Sequence, residues 1–158
     1  MTRSGHRVEL QGQALLAGGT AGPALVLAAP LSLWGGMDPA SGRVSDHHHP
    51  QLGARVSGRV LVMPSGRGSS SSSSVLAEAI RLGTAPLAIL LAEPDEILVL
   101  GGLVAEYLYD RTCPIVVVPG AAHAAIATGD WVSVSGGRVT VARSQARPAE
   151  LGGPAEQG

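Results

Sequence analysis

The residues best placed to do chemistry lie between Val60 and Ser74, where the chain reads VLVM, then PSGRG, then six serines, Ser69 to Ser74. VLAEAIRL follows, which predicts a helix over 75–82 ending at Gly83, as helices commonly do. An apolar strand therefore feeds a glycine-bearing loop, and the loop feeds a helix start. Free N–H groups and the positive dipole end of a helix favour negative charge at that point. Gly66 and Gly68 permit close backbone approach, and Arg67 adds a permanent planar cation. Such a loop suits a carboxylate, a phosphate or a deprotonated hydroxyl. The competing reading is plain helix capping by a low-complexity serine run. No Gly-Lys-[Ser/Thr] follows the glycines, so this is not a Walker A loop. A G-x-S-x-G nucleophile elbow is also missing.

A second polar cluster is Asp46-His47-His48-His49-Pro50. In an extended chain only His47 and His49 would share a face. A metal needs three or four converging ligands, so histidines bonded to backbone groups are the simpler reading. Asp38, in GGMDP, suits either a turn or a substrate contact. Glu93, Asp95 and Glu96 could form a general-base cluster, but acids at a helix start explain them more simply. Cys113 and His123 read as structural, and Trp34 and Trp131 as packing anchors.

The elements that must hold these residues are legible as apolar runs. Residues 7–16 predict a strand interrupted at Gly12, with further strands at 24–29, 58–63, 87–92 and 114–119. Pro94-Asp95-Glu96 open a helix that runs to about Tyr107. WVSVSGGRVTVA, 131–142, predicts a hairpin around Gly136-Gly137. Residues 34–56 predict a long irregular, functional loop. From Ser144 the Ala/Pro/Glu/Gly composition predicts a disordered tail. The fold class is thus mixed α/β: a β-rich layer with a strand–helix–strand–helix–strand middle, a single domain over 1–143 and a tail over 144–158.

Composition closes several function classes. Eleven Lys+Arg against 12 Asp+Glu leave a formal charge of −1, with no basic excess for a nucleic acid or an anionic membrane. All the cations are arginine, so Schiff-base and P-loop lysine chemistry are closed. One cysteine excludes a disulfide framework and any metal site built from this chain's thiolates alone. The apolar runs are too short to span a bilayer and no secretory h-region opens the chain, so a soluble cytoplasmic protein is the expectation. With 45% hydrophobic and only 15% charged residues, part of the surface is expected to lie under a partner.

Four motifs in order, GGMDPASGRVSDHHHP, VLVMPSGRGSSSSSSVL, GTAPLAILLAEPDEILVLGGLVAE and CPIVVV, resemble the small swivelling domain of the aconitase-X family. TGDWVSVSGGRVTV resembles the closing strands of swivelling β/β/α domains more generally. The resemblance implies an aconitase-like swivelling fold and a hydro-lyase that removes water from a small hydroxy acid. It implies a cysteine-bearing large subunit holding an iron centre, often an iron–sulfur cluster, so that this chain alone binds no metal and is inactive. Two-subunit bacterial members act on cis-3-hydroxy-L-proline; archaeal relatives dehydrate phosphomevalonate. The aconitase-type Gly-x-Gly-Ser-Ser pattern falls on Gly66-Arg67-Gly68-Ser69-Ser70, which carries the role of proton acceptor onto Ser69. Arg67, Gly68 and Ser70 are then candidate substrate contacts, with Gly36, Asp38 and His48 from the first motif. The alternatives are phosphomevalonate as substrate, with Arg67, Arg43 and Arg55 as the cations near enough to meet its phosphate, or a non-catalytic partner-binding swivelling domain.

Overall fold

The computed structural model describes residues 7–66 and 69–143. Arg67, Gly68 and the expected tail from Ser144 lie outside the described residues. The strands are β1 (Arg7–Gln11), β2 (Gln13–Leu16), β3 (Gly19–Val26), β4 (Met37–Asp38), β5 (Arg43–Val44), β6 (Val60–Met63), β7 (Ala88–Leu91), β8 (Ile115–Val117), β9 (Trp131–Ser135) and β10 (Arg138–Ala142). The helical segments are α1 (Leu33–Gly36), α2 (Ser72–Leu82), α3 (Glu96–Tyr109) and α4 (Gly120–His123).

Eight strands form one sheet in the order β1-β10-β9-β3-β6-β7-β8-β2. The ladders β3-β6-β7-β8 are parallel, and β1, β10 and β9 join antiparallel on one side. β1 and β2 are one residue apart in sequence yet stand at opposite ends of that order, so the sheet curls until its edges meet. Gly12 sits at the seam. Its N–H donates to the Gly137 carbonyl at 2.7 Å, while a Cβ there would stand 2.6 Å from the Val117 carbonyl oxygen. Only glycine lets one strand serve both edges.

The strand period divides the core in two. Leu61, Met63, Ile89 and Leu91 face the helices, where they pack with Leu76, Ile80 and Leu98. Val60, Val62, Ala88 and Leu90 point the other way, onto Val132, Val134, Val139 and Val141 of the curled antiparallel part. β6 and β7 are buried at every position, as expected of parallel strands covered on both faces. β9 and β10 alternate buried and accessible residues, with a two-residue turn in which Gly136 has φ +59°.

Helix α2 begins at Ser72 rather than at residue 75, because serines 72–74 complete its first turn. It ends at Gly83, φ +80°, whose N–H returns to the carbonyls of Ala79 and Ile80. α3 crosses α2 closely, since a Cβ at Gly101 would lie 2.6 Å from the Ser73 carbonyl oxygen. β3 starts at Gly19, not Ala24. Residues 19–23, with Gly22 and Pro23, pair with β9, and 24–26 pair with β6. Backbone pairing on both sides holds a stretch that its side chains do not advertise. The 34–56 segment is less irregular than its composition predicts. It folds into the β4–β5 ribbon and buries Met37, Val44 and Val56 in the helix-side core.

Cys113 is buried, with its Sγ donating to the Pro86 carbonyl at 3.5 Å, and burial pushes its thiol up from 9.0 to about 12. The folded state therefore holds a proton that the unfolded chain releases above pH 9. The resulting stability is complete below pH 9 and is lost as pH rises toward 12. The loss is about 1.4 kcal/mol per pH unit. Urea unfolding from pH 8 to 11 should show the stability difference between wild type and Cys113→Ala shrinking above pH 9; a constant difference would contradict the assignment.

Candidate active site

The carboxyl ends of β6, β7 and β8 open on the same side of the sheet, the position at which parallel α/β sheets place ligands. The loop after β6 carries the serines, and the loop after β7 leads into α3. Between them lies a small cavity of about 90 Å³. Ser69 and Ser72 line it from the start of α2, Gly66 from the loop and Asp95 from the cap of α3; Leu31, Leu33, Ile97 and Leu98 supply apolar walls. The space suits a carboxyl group or a few waters rather than a whole substrate.

Ser69 is half-buried at this wall. Its Oγ accepts the Ser71 N–H at 3.0 Å, and its carbonyl accepts the Ser72 N–H at 3.0 Å. The Ser73 N–H goes to the Ser70 carbonyl at 3.2 Å. Three amides expected to be free are thus spent in tight local turns, which corrects the reading of an open amide cradle. One of them nevertheless points at a side-chain oxygen on the cavity wall: the Ser71 N–H donates to Ser69 Oγ, a geometry that, with the α2 dipole, would favour negative charge on that atom.

Asp95 is the α3 cap. Its Oδ1 accepts the N–H groups of Ile97 at 2.9 Å and Leu98 at 3.1 Å. A side chain at Gly66 would collide with the other carboxylate oxygen, so the serine loop and the α3 cap are mutually seated. Glu93 and Glu96 are exposed, in keeping with acids at a helix start.

The remaining candidates are placed as follows. Ser70 is exposed at the rim. Gly36 is buried against Leu31, and its carbonyl accepts the Ser45 N–H at 2.8 Å. Asp38 is exposed and closes a turn, accepting from the Ala40 N–H and Ser41 Oγ, each at 3.0 Å. His48 is exposed, and its N–H donates to Asp46 Oδ1 at 2.9 Å. None of Ser70, Gly36, Asp38 and His48 lines the cavity. The histidines follow a turn, not an extended run. His49 is the buried one, donating through Nε2 to the Ala29 carbonyl at 3.1 Å and accepting the Gln51 N–H at Nδ1 at 3.0 Å. His123 likewise donates to the Met63 carbonyl at 2.8 Å. Trp34 and Trp131 are 58% and 52% exposed, which corrects their reading as anchors. Trp34 sits in a non-helical turn, and Trp131 falls on the outward phase of β9. Ser72, hidden in the serine run, was missed; its one signal is a spacing of three residues from Ser69, about one helical turn.

Among the described residues no group of three His, Cys, Asp or Glu could hold a metal ion. The single cysteine is buried below the sheet's other end, beside Pro86 and Pro114. With one buried cysteine and no such group, the described residues do not fit an iron–sulfur cluster. No helix among the described residues is long and apolar enough to cross a membrane.

A curled β-sheet backed by two helices, with Gly66 and Ser69 at the carboxyl ends of its parallel strands, has the fold of a swivelling domain of the aconitase type. The aconitase X swivel domain family model matches residues 9–142, and the chain belongs to that family. It is 47% identical to a cis-3-hydroxy-L-proline dehydratase of Pseudomonas aeruginosa over 141 residues, which are 86% of this chain and 24% of that protein. The chain thus spans about a quarter of that relative's length. It is 42% identical to a phosphomevalonate dehydratase small subunit of Methanothermobacter thermautotrophicus over 84 residues, 53% of this chain and 64% of that one. The crystal structure of Thermococcus kodakaraensis aconitase X in its holo-form superposes with TM-score 0.76 at 30% identity, over 85% of this chain and 98% of that one.

Asp95→Ala should lower stability by about 1–2 kcal/mol through loss of the α3 cap. Gly66→Ala should destabilise the parent yet cost less in the Asp95→Ala background, because the colliding carboxylate is gone. A double-mutant cycle by thermal melting checks this; strict additivity would contradict the seating of loop on cap.

Proposed function

We propose that this chain is the small, serine-bearing part of a cytoplasmic two-chain hydro-lyase, built as one domain over 1–143, that dehydrates cis-3-hydroxy-L-proline. The observation that carries the reading is the placement of Ser69 Oγ at a cavity wall, under the Ser71 N–H, at the carboxyl end of β6. A serine hydroxyl is a poor base. An amide aimed at Oγ and a helix start behind it lower the cost of the alkoxide. Ser69 then accepts the proton from substrate carbon while hydroxide departs on the side facing the larger chain, the two together making the water lost. Arg67, Gly68 and Ser70 flank the base and contact substrate, with Gly36, Asp38 and His48 on the neighbouring segment that the substrate's outer end reaches. Iron, held by the larger chain's cysteines, belongs to that chain.

Phosphomevalonate is the second substrate to consider, given the relatives of that name. A phosphate needs cations, and among the described residues no arginine lines the cavity. Arg43 is tied to the Gly53 carbonyl at 2.9 Å, and Arg55 is exposed beside it on the ribbon. Asp95 adds a carboxylate to the wall. That carboxylate favours a zwitterionic amino acid over a doubly charged phosphate.

The larger chain also answers a surface problem. Leu100, Leu103, Val104, Tyr107 and Leu108 form an exposed apolar face on α3, with Tyr107 88% exposed. A groove of about 520 Å³ runs along it past Leu15 and Val99 to Asp95, a wall of the Ser69 cavity. In the Pseudomonas relative the other three quarters of the protein lie in the same polypeptide, so the polypeptide that closes the cavity is the occupant that reaches this face.

Two outcomes test the proposal. In the reconstituted complex Ser69→Ala should lower kcat on cis-3-hydroxy-L-proline by about 10³-fold with assembly intact. A loss of about 1 kcal/mol in stability and no change in turnover would instead fit a non-catalytic cap. Leu100→Asp with Leu103→Asp should abolish co-elution with the larger chain while the isolated chain melts within a few degrees of wild type; unchanged co-elution would remove α3 from the interface.

A further inference from the structure

Ser72 is 4% exposed and lines the same cavity as Ser69. Its Oγ accepts the Trp34 N–H at 3.1 Å, which pins the Trp34-Gly35-Gly36 turn to the start of α2. A serine inside a helix ordinarily spends its hydroxyl proton on a carbonyl of the preceding turn. The next residue does so: Ser73 Oγ donates to the Ser70 carbonyl at 2.9 Å. Ser72 does not, and among the described residues its proton has no acceptor. A buried donor left unpaired is costly, and alanine would be a better helix former at the same position. An unspent proton here makes sense if something entering the cavity accepts it.

We propose that Ser72 is a second substrate-contacting residue, donating its hydroxyl proton to a carboxylate oxygen of the amino acid. The inference rests on the reading of the cavity given above and adds the group that recognises substrate beside the group that takes its proton. Ser69 lies in the turn that leads into α2 and Ser72 is the first residue of that helix, and both line the cavity. The start of α2 borders the same space and its dipole favours a carboxylate there, whereas the α3 start is already taken by Asp95. Leu31 and Leu33 exclude water around it. The Asp95 carboxylate on the wall disfavours a doubly charged phosphate and leaves an acceptor for the ammonium of an amino acid.

The experiment measures binding without turnover. In the complex carrying Ser69→Ala, the dissociation constant for cis-3-hydroxy-L-proline is read by calorimetry with and without Ser72→Ala. Ser72→Thr, which keeps the hydroxyl, is the conservative control. The expected result is about tenfold weaker binding for Ser72→Ala and binding within threefold of the parent for Ser72→Thr. A lower melting temperature with unchanged binding in Ser72→Ala overturns the inference and leaves Ser72 as a clamp on the Trp34 turn, with the role of Ser69 untouched. If the Ser69→Ala parent complex fails to bind this amino acid at all, the substrate reading itself falls and the inference with it.

Discussion

Strands β6 and β7 are buried on both faces, and that single constraint determines where chemistry can happen. No polar side chain can be satisfied along the middle of the sheet, where helices cover one face and the curled antiparallel strands the other. Polar groups are forced to the strand ends. At the carboxyl ends of β6 and β7 the two crossover helices begin, so their dipoles and caps converge on one small space. Ser69, Ser72 and Asp95 line that space because the parallel topology leaves them nowhere else to be.

Much of this was legible in the sequence. Continuous apolar runs announced β6, β7 and β8, alternation around Gly136-Gly137 announced the hairpin, and a lone glycine in 7–16 marked the point where one strand changes edges. The Gly-x-Gly-Ser-Ser stretch identified the loop. Other features could not be read from local signals. β3 begins five residues early because its backbone is claimed by β9, and ladder pairing leaves little trace in a Gly-Thr-Ala-Gly-Pro stretch. The helix start within the serine run depends on local hydrogen bonds that identical residues do not distinguish. Ser72 stands out only once its neighbour Trp34, 38 positions earlier, is seen to occupy its oxygen. The two tryptophans point outward for reasons of turn geometry and strand phase, not composition.

The apolar face of α3 adjoins the cavity through Asp95. The cavity is about 90 Å³, the Cys113 thiol is buried away from it, and an apolar helix face stands open beside it. The chain belongs to the aconitase X swivel domain family and spans about a quarter of the Pseudomonas dehydratase's length.

The most direct test is the structure of the assembled two-chain complex carrying Ser69→Ala with cis-3-hydroxy-L-proline bound. The account predicts that the substrate carbon losing its proton lies about 3–3.5 Å from where the missing oxygen would be, with its carboxylate in the cavity at the start of α2. A substrate enclosed wholly by the larger chain, with residue 69 turned to solvent, would contradict it.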